Sequence, residues 1–133
     1  MTKNQETAKP SSVLVVDDEP GICEMMRLVL AGAGYQVAVA ADGSEALAVM
    51  TKHPVDLVIT DMFMPEGDGF ELLAEVKKHQ PETRVIVVSG GGMSGVDYSL
   101  KMARKLGAHA VLKKPFSGEE LLAATALVLK KTD

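Results

Sequence analysis

Short apolar runs, mostly of β-branched residues, alternate along the chain with longer segments in which apolar residues recur every three to four positions. The short runs predict strands at residues 13–16, 36–39, 55–59, 84–88 and 110–112. Three of these runs are almost continuously apolar, which is typical of parallel strands buried on both faces. The longer segments predict helices at about residues 20–32, 44–50, 70–78, 96–106 and 118–129.

The order of these elements, strand then helix five times, predicts an α/β domain. Crossovers between parallel strands are almost always right-handed, so helices should cover both faces of one parallel sheet. The length of 133 residues suits a single domain. Residues 1–11 are polar and contain a proline, and we expect them to form a disordered tail.

Composition excludes several classes of protein. The single cysteine, Cys23, rules out an internal disulfide framework and a cysteine-rich zinc site, and it fits a reducing cytoplasm. A net charge of −4 and an aromatic content of 4% argue against a nucleic-acid partner. No apolar run is long enough to span a bilayer, and the polar start lacks the apolar core of a signal peptide. We therefore expect a cytoplasmic protein without membrane insertion.

Polar side chains follow four of the five predicted strands. Asp17 and Asp18 follow the first, Asp61 the third, Ser89 the fourth and Lys114 the fifth. Ligands of open parallel sheets bind at the carboxyl ends of the strands, so these side chains should share one site. Clustered carboxylates need a cation, and oxygen ligands suit Mg²⁺. A carboxylate nucleophile beside a divalent cation, a lysine and a hydroxyl is a combination suited to phosphoryl transfer.

Each of these residues also has a simpler structural interpretation. Asp17 and Asp18 could end a strand and start a helix, where acidic residues are favoured in any protein. Asp61 could be a turn residue, and Ser89 could cap a loop. Lys113 should point away from Lys114 into solvent. The three histidines show no metal-binding spacing and are predicted on the surface or in loops: His53, His79 and His109.

Four segments resemble the signature segments of bacterial response-regulator receiver domains, the phosphorylated modules of two-component signalling. They read VLVVDDEP, VDLVITDMFMPEGDGFELL, VIVVSGG and GAHAVLKKPF. The resemblance covers residues 12–131. It implies a flavodoxin-like (βα)₅ three-layer sandwich with a five-stranded parallel sheet in the order 2-1-3-4-5.

The resemblance also implies roles for individual residues. Asp61 is expected to be the phospho-acceptor, and Asp17 and Asp18 are expected to hold Mg²⁺ with Asp61 and the backbone carbonyl of Phe63. Ser89 is expected to be the hydroxyl that bonds the phosphoryl group.

Lys114 is expected to pair with the phosphoryl oxygens, and its peptide bond to Pro115 is expected to be cis. Receiver domains usually carry Tyr or Phe three residues before this lysine, and this chain has Val111. The usual inward turn of the ring on phosphorylation is therefore missing, and we expect a weaker or differently built conformational output.

The sequence therefore predicts a stand-alone phosphorelay receiver rather than an enzyme with turnover. It would accept a phosphoryl group from a histidine kinase or a phosphotransfer protein and signal to a downstream protein through altered contacts. The same sequence would suit a receiver cut from a longer protein.

Two other functions compete with this one. A pseudo-receiver would interact with partners without phosphorylation, and the intact set of acidic residues and lysine argues against it. A Mg²⁺-dependent aspartyl-phosphate phosphatase commonly needs an acid two residues after its nucleophile, where this chain has Phe63.

Overall fold

The computed structural model describes residues 11–62, 69–90, 101 and 103–130. These residues form five parallel strands in one sheet with the order β2-β1-β3-β4-β5. The strands are β1 (Ser12–Val16), β2 (Gln36–Ala40), β3 (Leu57–Asp61), β4 (Arg84–Ser89) and β5 (Ala110–Lys113). The predicted flavodoxin-like fold and its strand order are confirmed.

Helices connect the strands and cover both faces of the sheet. They are α1 (Pro20–Gly32), α2 (Gly43–Lys52), α3 (Gly69–His79) and α5 (Gly118–Leu129). Helical residues 101 and 103–105 belong to α4, and the first part of the predicted helix 96–106 lies outside the described residues. Within the described part of the chain, no helix is both long and apolar enough to cross a membrane.

The third strand begins two residues later than the apolar pattern predicts. Its register with β1 starts where Val13 pairs with Leu57, so Val55 and Asp56 precede the ladder. The Asp56 backbone still bonds to both neighbours: its N–H donates to the carbonyl of Ser12 over 2.9 Å, and its carbonyl accepts from the N–H of Arg84 over 3.0 Å. Asp56 Oδ2 also accepts a hydrogen bond of 2.8 Å from the backbone N–H of Ser12. The strand also ends two residues later than the apolar pattern predicts, so Asp61 is the last residue of β3 rather than the second residue after it.

The core consists of two apolar clusters, one on each face of the sheet. The central strands β1, β3 and β4 are almost fully buried, as their continuous apolar runs predict. One cluster joins α2 and α3 to the sheet, and the other joins α1 and α5. This burial on both faces fixes the strand register and therefore the position of every residue at the strand ends.

The start of α5 is capped by the side chains of its own first turn. Ser117 Oγ accepts a hydrogen bond from the backbone N–H of Glu120, and the Glu120 carboxylate accepts one from the N–H of Ser117. This reciprocal capping box defines where α5 begins after β5. Farther along α5, the hydroxyl of Thr125 is fully buried and has no hydrogen-bond partner among the described residues.

Candidate functional site

Three carboxylates meet at the carboxyl ends of the central strands. Asp17 and Asp18 follow β1, and Asp61 ends the adjacent strand β3. One oxygen from each carboxylate lies within 4.8 Å of the others. The parallel register of β1 and β3 brings them together because it aligns the ends of neighbouring strands. The predicted cluster is therefore present in the structure.

The backbone around Asp17 holds its carboxylate in place. Asp17 is only 2% exposed, and its Oδ1 accepts a 2.9 Å hydrogen bond from the backbone N–H of Glu19. Its own N–H donates to the carbonyl of Ala40, which extends the β1–β2 pairing by one residue. Asp18 is exposed, so the two neighbouring acids differ sharply in their access to solvent.

Asp61 is also buried and occupies an electrostatically unfavourable position. Its Oδ1 accepts a 2.9 Å hydrogen bond from the backbone N–H of Met62, and the Thr60 hydroxyl donates to its backbone carbonyl. Burial raises the pKa of Asp61 to about 6, because desolvation and the negative charge of Asp17 outweigh the nearby ammonium of Lys114. A cation among these carboxylates would relieve this cost.

Gly69 packs directly against the backbone of Asp61. A Cβ at this position would collide with the carbonyl oxygen of Asp61 and lie 2.9 Å from Cα of Met62. The N–H of Gly69 donates a 2.8 Å hydrogen bond to the carbonyl of Met62. A glycine is therefore needed at this position for its close approach to the candidate acceptor.

Lys114 brings a positive charge to the same cluster. Its Nζ lies 3.1 Å from Oδ2 of Asp17 and 3.8 Å from Oδ1 of Asp61. Burial by itself would lower the pKa of Lys114, but the hydrogen bond to Asp17 and the charge of Asp61 outweigh it and raise the pKa. The lysine is therefore charged and partly neutralises the acids.

The backbone after β5 sets the position of Lys114. Its N–H donates a 2.8 Å hydrogen bond to the carbonyl of Ser89, and its peptide bond to Pro115 is cis, as predicted. Lys113 is exposed, so the expected contrast between the two lysines is present. Ser89 ends β4 and is only 2% exposed, beside the strand that carries Asp61.

Two site residues were missed by sequence reasoning. Glu19 lies near Lys114, with 3.8 Å between Oε1 and Nζ, and its backbone N–H orients Asp17. The acidic run at 17–19 was a signal for Glu19. Cys23 is buried beneath this run, and its thiol donates to the carbonyl of Asp17 over 3.3 Å. Burial raises the pKa of the Cys23 thiol, which favours its uncharged form.

The donor set fits a small divalent cation. Mg²⁺ binds oxygen atoms at about 2.0–2.1 Å, so oxygens bound to one ion can be up to about 4 Å apart. The carboxylate oxygens of Asp17, Asp18 and Asp61 need only small side-chain rotations to reach such distances from their present spacing. The backbone carbonyl of Phe63, the fourth predicted ligand, lies outside the described residues.

An apolar groove borders the site between α1 and the segment that joins β5 to α5. Ile22 and Met25 from α1 face Pro115 and Phe116, and the groove has a volume of about 490 Å³. Lys114 lines the same groove, so the apolar surface is continuous with the charged site.

Val111 occupies the position where the resemblance implies an aromatic ring. It pairs with Val87 in β4, is half-buried and packs against the core cluster that contains Ala103 of α4. An aliphatic side chain fills this space without a ring that could rotate between an inward and an outward position.

Comparisons with known proteins agree with this geometry. The sequence model of the response regulator receiver domain matches residues 13–126. The chain therefore belongs to the response regulator receiver domain family.

Relatives with 30% identity or more cover most of the chain. The transcriptional regulatory protein GlrR of Escherichia coli (strain K12) is 38% identical over 116 residues, which are 87% of this chain and 26% of that protein. The response regulator GtcR of Aneurinibacillus migulanus is 33% identical over 90% of this chain and 48% of that protein. The chain thus spans about a quarter to a half of the length of these two relatives.

Solved receiver domains of similar size share the fold. The receiver domain of NtrX from Brucella abortus is 30% identical with a TM-score of 0.83, and the match covers 90% of this chain and 99% of that one. The chemotaxis protein CheY4 of Vibrio cholerae is 35% identical with a TM-score of 0.82 over the same shares of the two chains.

Proposed function

We propose that this chain is a phosphorelay receiver in which Asp61 accepts a phosphoryl group from a phosphohistidine on a histidine kinase or a phosphotransfer protein. The observation that carries the proposal is the contact between Lys114 and two buried carboxylates, Asp17 and Asp61, at the strand ends. Membership of the receiver family supports it independently.

The transfer step forms one bond and breaks one. A carboxylate oxygen of Asp61 attacks the phosphorus atom, the P–N bond to the donor imidazole breaks, and the imidazole leaves with the bonding electron pair and takes up a proton. The product is an acyl phosphate on Asp61. Asp61 is held for this attack because Oδ1 is fixed by the Met62 N–H and the backbone is fixed by Gly69.

Mg²⁺ would be held by Asp17, Asp18, Asp61 and the carbonyl of Phe63, and when bound it offsets charge on the phosphoryl oxygens. Lys114 adds a second positive charge beside Asp17 and Asp61, with the same electrostatic effect. Its ammonium group is close enough to Asp61 to turn towards an attached phosphoryl group with a small rotation. Ser89, at the end of the neighbouring strand, would donate its hydroxyl to a phosphoryl oxygen.

The apolar groove gives the donor protein a surface to bind. A phosphohistidine must come within bonding distance of Asp61, and the groove is lined by Lys114, whose Nζ lies 3.8 Å from Oδ1 of Asp61. Burial of Ile22 and Met25 against an apolar donor surface would favour the complex. We infer that the donor contacts this groove.

The output of the receiver would be a change in its contacts with a downstream protein rather than turnover of a separate substrate. Rearrangement of Ser89 and Lys114 around the phosphoryl group would pull on the ends of β4 and β5. Because Val111 has no ring, we expect this change to be smaller than in receivers with an aromatic residue there. Comparison of NMR shifts on α4, β5 and α5 in free and phosphorylated protein tests this, and large shifts throughout that face would contradict it.

The decisive experiment is phosphorylation with acetyl phosphate and Mg²⁺, read by intact mass. We expect the wild-type protein to gain one phosphoryl group and Asp61→Asn to gain none. Asp56→Asn is the matched control, because Asp56 lies just before β3, at the far end of the strand from Asp61, and its substitution should leave phosphorylation intact.

Omission of Mg²⁺ should abolish the mass gain. If neither the wild-type protein nor the control is modified, the chain is an interaction module that does not undergo phosphorylation. If Asp61→Asn is modified as fully as the wild type, Asp61 is not the acceptor.

A further inference from the structure

The ring of His109 takes part in the backbone pairing between β4 and the start of β5. The N–H of His109 donates a 2.7 Å hydrogen bond to the carbonyl of Val85. In return, the N–H of Val85 donates over 3.1 Å to Nδ1 of the same histidine. In a regular parallel ladder that N–H would bond to a backbone carbonyl, so a titratable side chain here replaces a backbone acceptor.

This replacement makes the pairing depend on the protonation state of the ring. Neutral imidazole can accept at Nδ1, whereas the imidazolium ion carries a hydrogen on both nitrogens. Protonation would place two hydrogen-bond donors, Nδ1–H of His109 and the N–H of Val85, opposite each other. Val85 is completely buried although His109 is exposed, so protonation of the ring would leave a buried N–H without this partner.

The surroundings of His109 are positively charged. The side chain of Lys77 on α3 lies over Gly107, where an added Cβ would approach its Cε to 2.6 Å. Partial desolvation, then the charges of Lys77 and Arg84, lower the pKa of His109. Arg104 and Lys105, at the end of α4, are exposed and add no negative charge.

Arg84 connects this region to α5. Its Nη1 donates a 2.7 Å hydrogen bond to the carbonyl of Val128 in the last turn of the helix. The last turn of α5 carries no basic residue of its own, so Arg84 supplies a cation where the helix dipole favours one. A charge on His109 would act on the residue that holds the end of α5.

We propose that His109 is a pH-sensitive switch: protonation of its Nδ1 releases the Val85 N–H and loosens the attachment of β5 to β4. The switch lies at the amino-terminal end of the sheet, away from the carboxylate cluster, and it does not rest on the proposed phosphorylation. The groups that surround the ring belong to β4 and α3, and His109 itself directly precedes β5.

The direction of the effect follows from linkage. A histidine whose pKa is lower in the folded protein than the usual 6.5 binds more protons when unfolded. Its contribution to stability is complete above pH 6.5 and is lost as the pH falls towards the lowered pKa of the folded protein. One proton can change the unfolding equilibrium constant by at most about tenfold per pH unit.

Two substitutions at His109 distinguish the loss of the hydrogen-bond acceptor from the protonation of the ring. His109→Asn places Oδ1 where Nδ1 lies, so the acceptor is kept and cannot be protonated at these pH values. His109→Leu removes the acceptor at every pH. The control is His53→Asn, at an exposed histidine after α2.

The test is urea unfolding of the full chain at pH 7.5 and 5.5. We expect the wild type to lose at least about threefold more in its folding equilibrium constant than His109→Asn between these pH values, and His53→Asn to behave like the wild type. His109→Leu should already be weakened at pH 7.5. Equal pH dependence in the wild type and His109→Asn would overturn the proposal.

A second measurement needs no variant. In NMR spectra of the wild type, the Val85 amide proton should shift with the same midpoint as the His109 ring. If the ring titrates and the Val85 amide does not follow it, protonation does not break this contact and the proposal is wrong.

Discussion

The ammonium group of Lys114 lies 3.1 Å from Oδ2 of Asp17, although the two residues are 97 positions apart in the sequence. The side chain of Asp17 is almost completely buried, and that of Lys114 is 21% exposed. A divalent cation bound to Asp17 must therefore compete with a lysine that already neutralises it.

This competition predicts the effect of Lys114→Gln on metal affinity. Removing the positive charge should strengthen Mg²⁺ binding by about tenfold, a discounted value for charges about 4–5 Å apart near a protein surface. Lys113→Gln is the control, because Lys113 is exposed and adjacent in sequence. Calorimetric titration with Mg²⁺ measures the difference, and a weaker affinity in Lys114→Gln would show that the two cations do not compete.

The buried, ionised carboxylate of Asp61 should lower the free energy of unfolding of the metal-free protein. Burial raises the pKa of Asp61 from 3.8 to about 6, so the folded protein binds this proton more tightly than the unfolded chain does. The resulting stabilisation is complete below the unfolded pKa and is lost as the pH rises through the folded pKa. At pH 8 the ionised carboxylate therefore opposes folding. We expect Asp61→Asn to raise the free energy of unfolding by about 1–2 kcal/mol in EDTA, after allowance for solvent screening.

Urea unfolding at pH 8 measures this change, with Asp56→Asn as the control, because the amide oxygen of Asn can still accept the hydrogen bond from the Ser12 N–H. Added Mg²⁺ should stabilise the wild type and reduce the advantage of Asp61→Asn, because a bound ligand stabilises only the form that binds it. An unchanged difference with and without Mg²⁺ would mean that Asp61 is not a metal ligand.

Gly69 should be irreplaceable because of its contact with Asp61. In Gly69→Ala the new Cβ would collide with the Asp61 carbonyl oxygen, so the backbone of the candidate acceptor must move. We expect a loss of about 2–3 kcal/mol in the free energy of unfolding and slower phosphorylation by acetyl phosphate. Gly21→Ala is the matched control. It has open space around the site of its Cβ in α1 and should be neutral or stabilising by up to about 1 kcal/mol.

The buried hydroxyl of Thr125 should destabilise the fold. It has no partner among the described residues, so Thr125→Val exchanges an unsatisfied polar group for a methyl group of similar size. We expect the free energy of unfolding to rise by about 1 kcal/mol.

Thr83→Val provides a comparison of opposite sign. The Thr83 hydroxyl is also buried, but it donates a 2.9 Å hydrogen bond to the carbonyl of Val55, so its loss should cost about 1–2 kcal/mol. Thermal unfolding of the two variants measures both changes. Destabilisation by Thr125→Val would indicate that its hydroxyl is satisfied in solution.

The sequence predicts the sheet edge well because parallel strands buried on both faces have only one favourable register. Once β1 and β3 are aligned, Asp17 and Asp61 must lie close together. The bond between the Val85 N–H and His109 could not be predicted, because it depends on the ring orientation at the entry to β5.

The contact of Gly69 with Asp61 also could not be predicted from the pattern of apolar residues. Glycine is common in turns for its backbone freedom, and only the distances show that here the missing Cβ matters. The hydrogen bonds that Asp56 makes with Ser12 and Arg84 just before β3 are likewise absent from the pattern of apolar residues. Pairwise contacts of this kind leave no periodic trace in a sequence.

The groove beside Lys114 predicts a difference between protein and small-molecule phosphodonors. Met25 lines this groove and is half-buried, so Met25→Glu places a charge on the surface where we expect a histidine-bearing donor to bind. Phosphotransfer from a histidine kinase or a phosphotransfer protein should fall by at least about tenfold, as expected for an unpaired charge at the centre of an interface. Phosphorylation by acetyl phosphate, which needs no protein surface, should stay within about twofold of the wild type.

Leu28→Glu is the control for this substitution. Leu28 lies on the same helix but is 57% exposed and is absent from the groove lining. It should leave both reactions unchanged if the donor uses the groove. Measured rates of radiolabelled phosphate transfer from each donor separate the cases. If Met25→Glu slows phosphoryl transfer from both donors equally, the substitution acts on Asp61 or its metal rather than on donor binding. If only Leu28→Glu slows transfer from the protein donor, the donor binds the outer face of α1 and not the groove.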